Sequence, residues 1–206
     1  MPFVAPVAPN PSVLAWARQE SGFEVDVVAK KLGVNPERLK EWETGDKVPT
    51  MRQLEHLAKF YHRPLGLFFR TKPPVIPPLA TEYRRLNGLV PGHESPEMRL
   101  AIRKMSNRRQ LMIDLLEESG EEAASFDLKA HLNESPPNVA ERLRNALRVS
   151  LETQFQWASE WEAWASWRDA AEKLGVLVFQ FPKVPLEEAR GISLLSWPFP
   201  VAAVNS

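Results

Sequence analysis

Residues 29–61, AKKLGVNPERLKEWETGDKVPTMRQLEHLAKFY, carry the signals that decide the fold. Gly33 follows an apolar helical spacing, and glycine is the residue type that most readily adopts the left-handed conformation after a helix. Asn35 and Pro36 are typical of an N-cap and a first helical residue. Thr50 and Gln53 have the spacing of a capping box. The stretch therefore predicts three short helices joined by tight turns.

The sequence on either side extends this helical pattern. Pro11 begins an apolar-periodic segment, PSVLAWARQESG, and Pro64 opens a last short turn, PLGLFF. Five short helices with a Leu-Gly-Val-Asn turn between the second and third are the pattern of a helix-turn-helix bundle. We therefore expect a mostly α protein with a five-helix helix-turn-helix bundle over residues 11–70, preceded by a disordered tail over residues 1–10.

The same stretch contains Ala29, Leu32-Gly33-Val34, Trp42-Glu43-x-Gly45, Pro49-Thr50 and Leu54-x-x-Leu57-Ala58. With these residues it resembles the Xre/Cro-type repressor family. Some of them have structural reasons, since small Ala29 lets helices cross closely and Trp42 is expected in the core. The resemblance implies that the third helix lies in the major groove of double-stranded DNA, while helix N-termini and basic side chains hold phosphates.

Mapped onto this sequence, the resemblance gives a set of candidate DNA-binding residues around the third helix. Arg38 is expected to read guanine, and Lys40 to contact guanine or phosphate. Glu37 and Glu41 oppose this, because phosphates repel a carboxylate unless it accepts a hydrogen bond from cytosine. The alternative is that this face binds a protein partner. The full candidate set is Asn35, Glu37, Arg38, Lys40, Glu41, Lys47 and Arg52.

Composition limits the possible functions. The chain has 206 residues, 26 Lys+Arg and 26 Asp+Glu, but residues 71–110 are basic and residues 111–206 are acidic. This asymmetry is compatible with a nucleic-acid contact or with attraction between the two parts. The absence of cysteine excludes disulfides and cysteine-based zinc sites, and favours a cytoplasmic location. No apolar run approaches the roughly 20 residues of a membrane helix. We expect no cofactor and no membrane contact.

A proline-rich linker is predicted over residues 71–95, because TKPPVIPPLA has four prolines in ten residues. Ser95 and Pro96 then begin a long helix to Ser119, whose first half is basic; extra phosphate contacts are the alternative to plain solvent exposure. More helices follow, and then up to three strands, VLVFQF, GISLLSW and FPVAAVNS. Residues 96–206 are therefore predicted as a helical region leading into a short, incomplete α+β domain.

Four tryptophans lie on one side of a single helix that the sequence predicts over residues 151–175. Trp157, Trp161 and Trp164 fall within about 60° on a helical wheel, and Trp167 lies some 80° from Trp157. Such a stripe more often packs in a core than serves as an interface. We expect core packing, with a protein partner at the stripe as the alternative.

Several segments of the C-terminal region form one pattern: W-R-x-A-x-E-x-x-G-V-L-V-F-Q from Trp167 to Gln180, Arg190-Gly191-Ile192-Ser193-Leu194 and Pro200-Val201-x-x-Val204-Asn205-Ser206, with Tyr83-Arg84-Arg85, Arg108-Arg109-Gln110 and Phe126-x-Leu128-x-Ala130 upstream. These segments resemble the opening of ImmA/IrrE-type metallopeptidases. In that family a following helix bears H-E-x-x-H, which binds zinc and supplies a glutamate as general base. The family often carries an Xre-type module before the peptidase.

The zinc-binding helix has no counterpart in these 206 residues. His93 and Glu94 begin H-E-S-P-E, which lacks the second histidine, and His56 and His62 lie about 240° apart on a helix. We therefore assign no catalytic or metal residue and expect no enzyme as the chain stands. The favoured hypothesis is a DNA-binding transcriptional regulator, in phage-related or toxin–antitoxin regulation, that carries a catalytically empty ImmA/IrrE-like domain and binds as a homodimer.

Two alternatives remain. The first is a fragment of a zinc metallo-endopeptidase that cleaves a repressor or antitoxin-like partner. The second is a protein-interaction module, in which another chain adds to the last strand, residues 201–206, through strand addition. Because no segment follows that strand, it is predicted to be open.

Overall fold

The computed structural model describes residues 8–75, 81–83, 94–123 and 126–206, and the chain divides into two compact units. Unit 1 comprises Met1–Pro78 and Val90–Leu100, and unit 2 comprises Leu79–Leu89 and Ala101–Ser206. Most of the predicted tail (1–10) and of the predicted linker (71–95) lies outside the described residues. The same holds for Arg84, Arg85 and His93.

Unit 1 is built from short helices, three of which begin at a capping side chain. The helices are α1 (Pro11–Glu20), α2 (Val25–Leu32), α3 (Pro36–Thr44) and α4 (Met51–Phe60), followed by a 3₁₀ helix (Leu65–Phe69). Asn35 caps α3, and Thr50 and Gln53 form the predicted capping box at α4. The prediction of a mostly helical protein is confirmed, but the fifth helix of the bundle is a 3₁₀ helix.

One apolar cluster holds these five helices together. Its fully buried members are Val13, Leu14, Ala17, Val28, Leu39, Trp42, Leu54, Leu57, Ala58, Tyr61 and Phe68. Trp42 is 2% exposed, which confirms its expected place in the core. Asn10 fastens the start of α1 to the end of the 3₁₀ helix, because its Nδ2 donates to the carbonyl oxygens of Arg70 at 3.0 Å and Thr71 at 2.8 Å.

Unit 2 contains most of the long helix α5 (Pro96–Ser119), whose bounds agree with the prediction, and then α6 (Pro136–Leu147), α7 (Leu151–Gln156) and α8 (Glu160–Lys173). The prediction of one helix over residues 151–175 is wrong. The Ser159 hydroxyl accepts a hydrogen bond from the Glu162 backbone N at 3.2 Å, and the Glu162 carboxylate accepts one from the Ala158 backbone N at 2.8 Å. These two bonds begin a new helix. The S-x-x-E at residues 159–162 is the sequence signal for this helix start, but the helical spacing of the tryptophans favours one continuous helix.

This break redistributes the four tryptophans of the predicted stripe. Trp157 lies at the end of α7, where its ring meets Trp167 edge-on with centroids 5.7 Å apart. Trp161 is 71% exposed, and Trp157, Trp164 and Trp167 are half-buried. The expected core packing is therefore wrong for Trp161 and incomplete for the other three.

The described strands form a mixed sheet in the order β1-β3-β4-β2. They are β1 (Thr81–Tyr83), β2 (Leu177–Phe181), β3 (Gly191–Leu194) and β4 (Val201–Asn205). Ala203 of β4 lies opposite Ile192 on one side and Phe179 on the other. The prediction of an open last strand is therefore wrong, because β4 is central and both of its edges are occupied. The sequence does not predict β1, which comes from the expected linker and pairs antiparallel with β3.

Side chains also hold both ends of β4. The Arg109 guanidinium on α5 donates three hydrogen bonds, of 2.6 to 3.0 Å, to the carbonyl oxygens of Ser196, Pro198 and Phe199. Burial lowers the pKa of Arg109 from its usual value. At the other end, Asn205 Nδ2 donates to two carbonyl oxygens of the connection between β2 and β3, at 2.8 and 2.7 Å. The last strand is thus fixed within unit 2.

Candidate nucleic-acid interface

Three residues join α2 to α3. Gly33 has a φ of 68°, a left-handed conformation that glycine adopts without strain. The Val34 backbone N then donates to the Ala29 carbonyl oxygen at 3.0 Å, which closes the end of α2. The Asn35 side-chain oxygen accepts from the Glu37 backbone N at 3.0 Å and so begins α3. The tight turn predicted from the sequence is confirmed.

A nearly buried ion pair, which the sequence analysis missed, braces α3 against α1. Arg18 Nε and Nη2 donate to the two carboxylate oxygens of Glu43 at 2.7 and 2.9 Å, and Arg18 Nη1 donates to the Phe23 carbonyl oxygen at 3.0 Å. The hydrogen bond to Glu43 raises the pKa of Arg18. A forked pair of this kind fixes an orientation as well as a distance. The two residues are 25 positions apart, so no local pattern reveals their pairing.

The helix α3 has one buried and one exposed side. Leu39 and Trp42 are 1% and 2% exposed and pack in the core of unit 1. The predicted binding residues of α3 lie outside that core: Glu37, Arg38 and Lys40 are exposed, and Glu41 is half-buried. A groove-reading helix requires this arrangement, because its base-contacting side chains must leave the protein surface.

The cations on and just after α3 are paired with carboxylates of α3 itself. Lys40 Nζ lies 3.0 Å from Glu37 Oε1, Lys47 Nζ lies 2.8 Å from Glu41 Oε1, and Arg38 Nε lies 3.4 Å from Glu41 Oε2. Glu41 therefore forms ion pairs with both Arg38 and Lys47. Exposed ion pairs of this type each contribute only about 0–1 kcal/mol, so they can open when a stronger partner is present.

Arg52 differs from the other predicted cations. It lies in the first turn of α4, it is exposed, and it has no ion pair with any residue in the described part of the chain. The N-terminus of α4 carries the positive end of the helix dipole, which adds to the attraction for an anion. Arg52 is therefore the member of the set best prepared to contact a phosphate.

The basic half of α5 is largely engaged in other contacts. In unit 2, Arg109 binds three carbonyl oxygens, and the Arg108 guanidinium lies 5.6 Å from the centroid of the Phe179 ring. In unit 1, an Arg99 guanidinium nitrogen lies 3.7 Å from the Glu94 carboxylate. Three of the cations considered for extra phosphate contacts thus already have partners.

No group of three or more Asp, Glu or His side chains suited to a metal ion occurs within the described ranges. His56, His62 and His131 are all exposed. The assignment of no catalytic, cofactor or metal residue stays a prediction.

Comparison with known proteins identifies the class of the first unit. Residues 12–67 match the family model described as a helix-turn-helix domain, and this segment runs from α1 into the 3₁₀ helix. Residues 12–67 of unit 1 are therefore similar to a helix-turn-helix domain, which supports a DNA-binding regulator. No curated protein and no solved structure matches the chain. No helix in the described part of the chain has both the length and the apolar character to span a membrane.

Proposed function

We propose that the chain is an Xre-type transcriptional regulator that binds double-stranded DNA with α3 in the major groove. The observation that carries this proposal is the position of α3. It follows a three-residue turn, its apolar side is buried in the core, and it presents Arg38 and Lys40 to solvent. The major groove of B-DNA, about 12 Å wide, admits such a helix.

The predicted residues then divide by role. Arg38 donates to the O6 and N7 atoms of guanine when its contact with Glu41 opens, and Lys40 binds guanine or phosphate. Lys47 and Arg52 bind phosphates. The Asn35 side-chain oxygen already caps α3, so its Nδ2 is the group left to contact the DNA backbone. Binding as a homodimer places two such helices on half-sites about 34 Å apart.

Arg38→Ala tests the placement of α3. Duplexes are first selected from a random pool by the whole protein, and binding to the best duplex is then measured by gel shift at moderate salt. We expect the variant to bind roughly 10- to 100-fold more weakly, because a bidentate base contact contributes about 1–3 kcal/mol.

Two further variants complete this experiment. Arg52→Ala should weaken binding to all duplexes alike. It should also make the negative slope of log K against log salt less steep by about 0.9, because one phosphate contact is lost. Lys59→Ala removes one charge at the other end of α4 and should change binding little. Unchanged affinity for Arg38→Ala would show that α3 does not read the groove.

We propose in addition that residues 96–206 are an ImmA/IrrE-like region without catalytic activity of its own. The motifs from Trp167 to Ser206 support the likeness, and the absence of H-E-x-x-H from the 206 residues supports the lack of catalysis. Metal analysis after incubation with zinc tests this proposal. One tightly bound zinc per chain would contradict it.

A protein partner for unit 2 is a second candidate function, favoured by the exposure of two aromatic side chains. Phe155 is 84% exposed and Trp161 is 71% exposed, which is unusual for rings of this size. Light scattering of the wild type and of the Phe155→Ser/Trp161→Ser variant tests whether these rings join copies of the chain. Equal masses at all concentrations would argue against such self-association.

A further inference from the structure

The exposed side of α3 combines cations with carboxylates that a phosphate-binding surface does not need. Glu37 and Glu41 each hold at least one cation, at 3.0 Å for Lys40 and at 2.8 Å for Lys47. The side chains involved are 33% to 71% exposed, so solvent reaches all of these pairs. The pairs therefore add little to folding stability. Their main effect is on the charge that α3 presents to a ligand.

Non-cognate DNA offers phosphates but no matched hydrogen-bond donors. When α3 approaches such a duplex, phosphates compete with the carboxylates for the cations of α3, and a cation that turns to a phosphate leaves its carboxylate. The freed carboxylates then lie close to the phosphates, well within the Debye length of about 10 Å at 0.1 M salt. Both events oppose binding, and both are independent of base sequence.

A G·C base pair removes this opposition. Guanine presents the O6 and N7 acceptors that suit an arginine, and its cytosine presents an N4 amino group that donates to a carboxylate. Arg38 and Glu41 are one helical turn apart, and Arg38 Nε lies 3.4 Å from Glu41 Oε2. The guanidinium can therefore donate to guanine while the carboxylate accepts from the cytosine of the same base pair. On a G·C pair the Glu41 carboxylate loses its contact with a cation but accepts a hydrogen bond from cytosine N4, so it is not left unpaired.

We propose that Glu41, assisted by Glu37, is a specificity-determining residue that keeps the cations of α3 off non-cognate DNA and favours a G·C pair. The proposal rests on the proposed function, since it requires α3 to lie in the groove. It adds that the two carboxylates weaken general DNA binding and so increase the ratio between cognate and non-cognate affinity.

Glu41→Gln tests the proposal, since glutamine keeps the shape of the side chain and removes its charge. Binding of the whole protein to a random-sequence duplex is measured by fluorescence anisotropy at about 0.1 M salt. We expect affinity to rise about three- to ten-fold and the salt slope to steepen by about 0.9, because one more cation is free for phosphate. The preference of the wild type for its selected duplex should fall by at least the same factor.

Two further variants separate the causes. Glu55→Gln removes an equal charge from the exposed side of α4 and should leave both affinities nearly unchanged. Adding Lys47→Gln to Glu41→Gln should cancel most of the gain, because Lys47 is the cation that Glu41 holds most closely. An equal gain from Glu55→Gln, or a gain that survives in the double variant, would overturn the proposal.

The two proposals fail in different ways. If Arg38→Ala weakens binding to the selected duplex while Glu41→Gln leaves binding to random DNA unchanged, α3 reads the groove but Glu41 does not set specificity. If neither variant changes any DNA affinity, the placement of α3 itself is wrong.

Discussion

Unit 1 and the helices α6 to α8 of unit 2 begin with similar capping signals but differ in what stabilises them. The five helices of unit 1 share one cluster of eleven buried residues. In contrast, α6 and α7 have no buried residue, and α8 has only Ala170. Because most helical stability comes from packing of an apolar face, α1 to α4 are held by their core, whereas α6 to α8 bury almost none of their described side chains.

Local contacts replace the missing core in α6 to α8. The Arg144 guanidinium lies 5.5 Å from the centroid of the Trp167 ring, and it donates to the Val149 carbonyl oxygen at 3.3 Å and to Gln154 at 3.1 Å. Each such contact contributes on the order of 1 kcal/mol. We therefore expect α6 to α8 to open at a lower free energy than α1 to α4.

The largest expected effect is that of Trp42→Ala. Removing a buried indole leaves a cavity in the core of unit 1 and should lower its free energy of unfolding by about 3–5 kcal/mol. Hydrogen exchange of the α1 to α4 amides in the whole protein measures this loss directly.

Trp161→Ala is the matched variant in the other region. Since Trp161 is 71% exposed, its removal should change stability by no more than about 0.5 kcal/mol. A similar loss in both variants would mean that α8 has a core contact of its own, and the contrast between the regions would fail.

Arg109→Ala should have the next largest effect, because its guanidinium donates three hydrogen bonds to the segment that leads into β4. Three carbonyl oxygens before β4 lose a charged donor, so we expect the free energy of opening β4 to fall by about 2–3 kcal/mol. The measurement is hydrogen exchange of the amides in Val201–Asn205.

Two controls accompany this variant. Arg108→Ala removes a neighbouring charge and a contact with the Phe179 ring, and it should cost only about 0.5–1 kcal/mol. Arg109→Lys should restore little of the lost free energy of opening β4, because an ammonium group cannot reproduce the planar guanidinium that binds three carbonyl oxygens. Full recovery with lysine would show that charge alone matters at this position.

The features that could be predicted from the sequence are those set by neighbouring residues. Gly33, Asn35 and the pair Thr50 and Gln53 determine local backbone geometry or caps, and the structure confirms all of them. The exposed side of α3 followed from helical spacing. The ion pairs at i,i+3 on that side also follow from helical spacing, because residues three positions apart are neighbours on a helix surface.

The features that could not be predicted depend on residues distant in the sequence. Arg18 pairs with Glu43 across 25 positions, and Arg109 binds Phe199 across 90. The strand β1 has only three residues and exists because it pairs with β3. Such contacts form when tertiary structure brings segments together, so the residues involved carry no distinctive local pattern. For the same reason, the apolar character of the last strand indicates burial but not which strands lie beside it.

A smaller loss than those of Trp42→Ala and Arg109→Ala is expected at the break between α7 and α8. Ser159→Ala removes the hydroxyl that accepts from the Glu162 backbone N, and loss of such a cap costs about 1 kcal/mol. Hydrogen exchange in the first turn of α8 should accelerate about five-fold, while α1 to α4 remain unchanged. Ser166→Ala, in the interior of the same helix, should be neutral or slightly stabilising because alanine is the better helix former. If Ser159→Ala leaves the exchange of α8 unchanged, the cap does not limit opening there, and α8 is held by packing in the same way as the helices of unit 1.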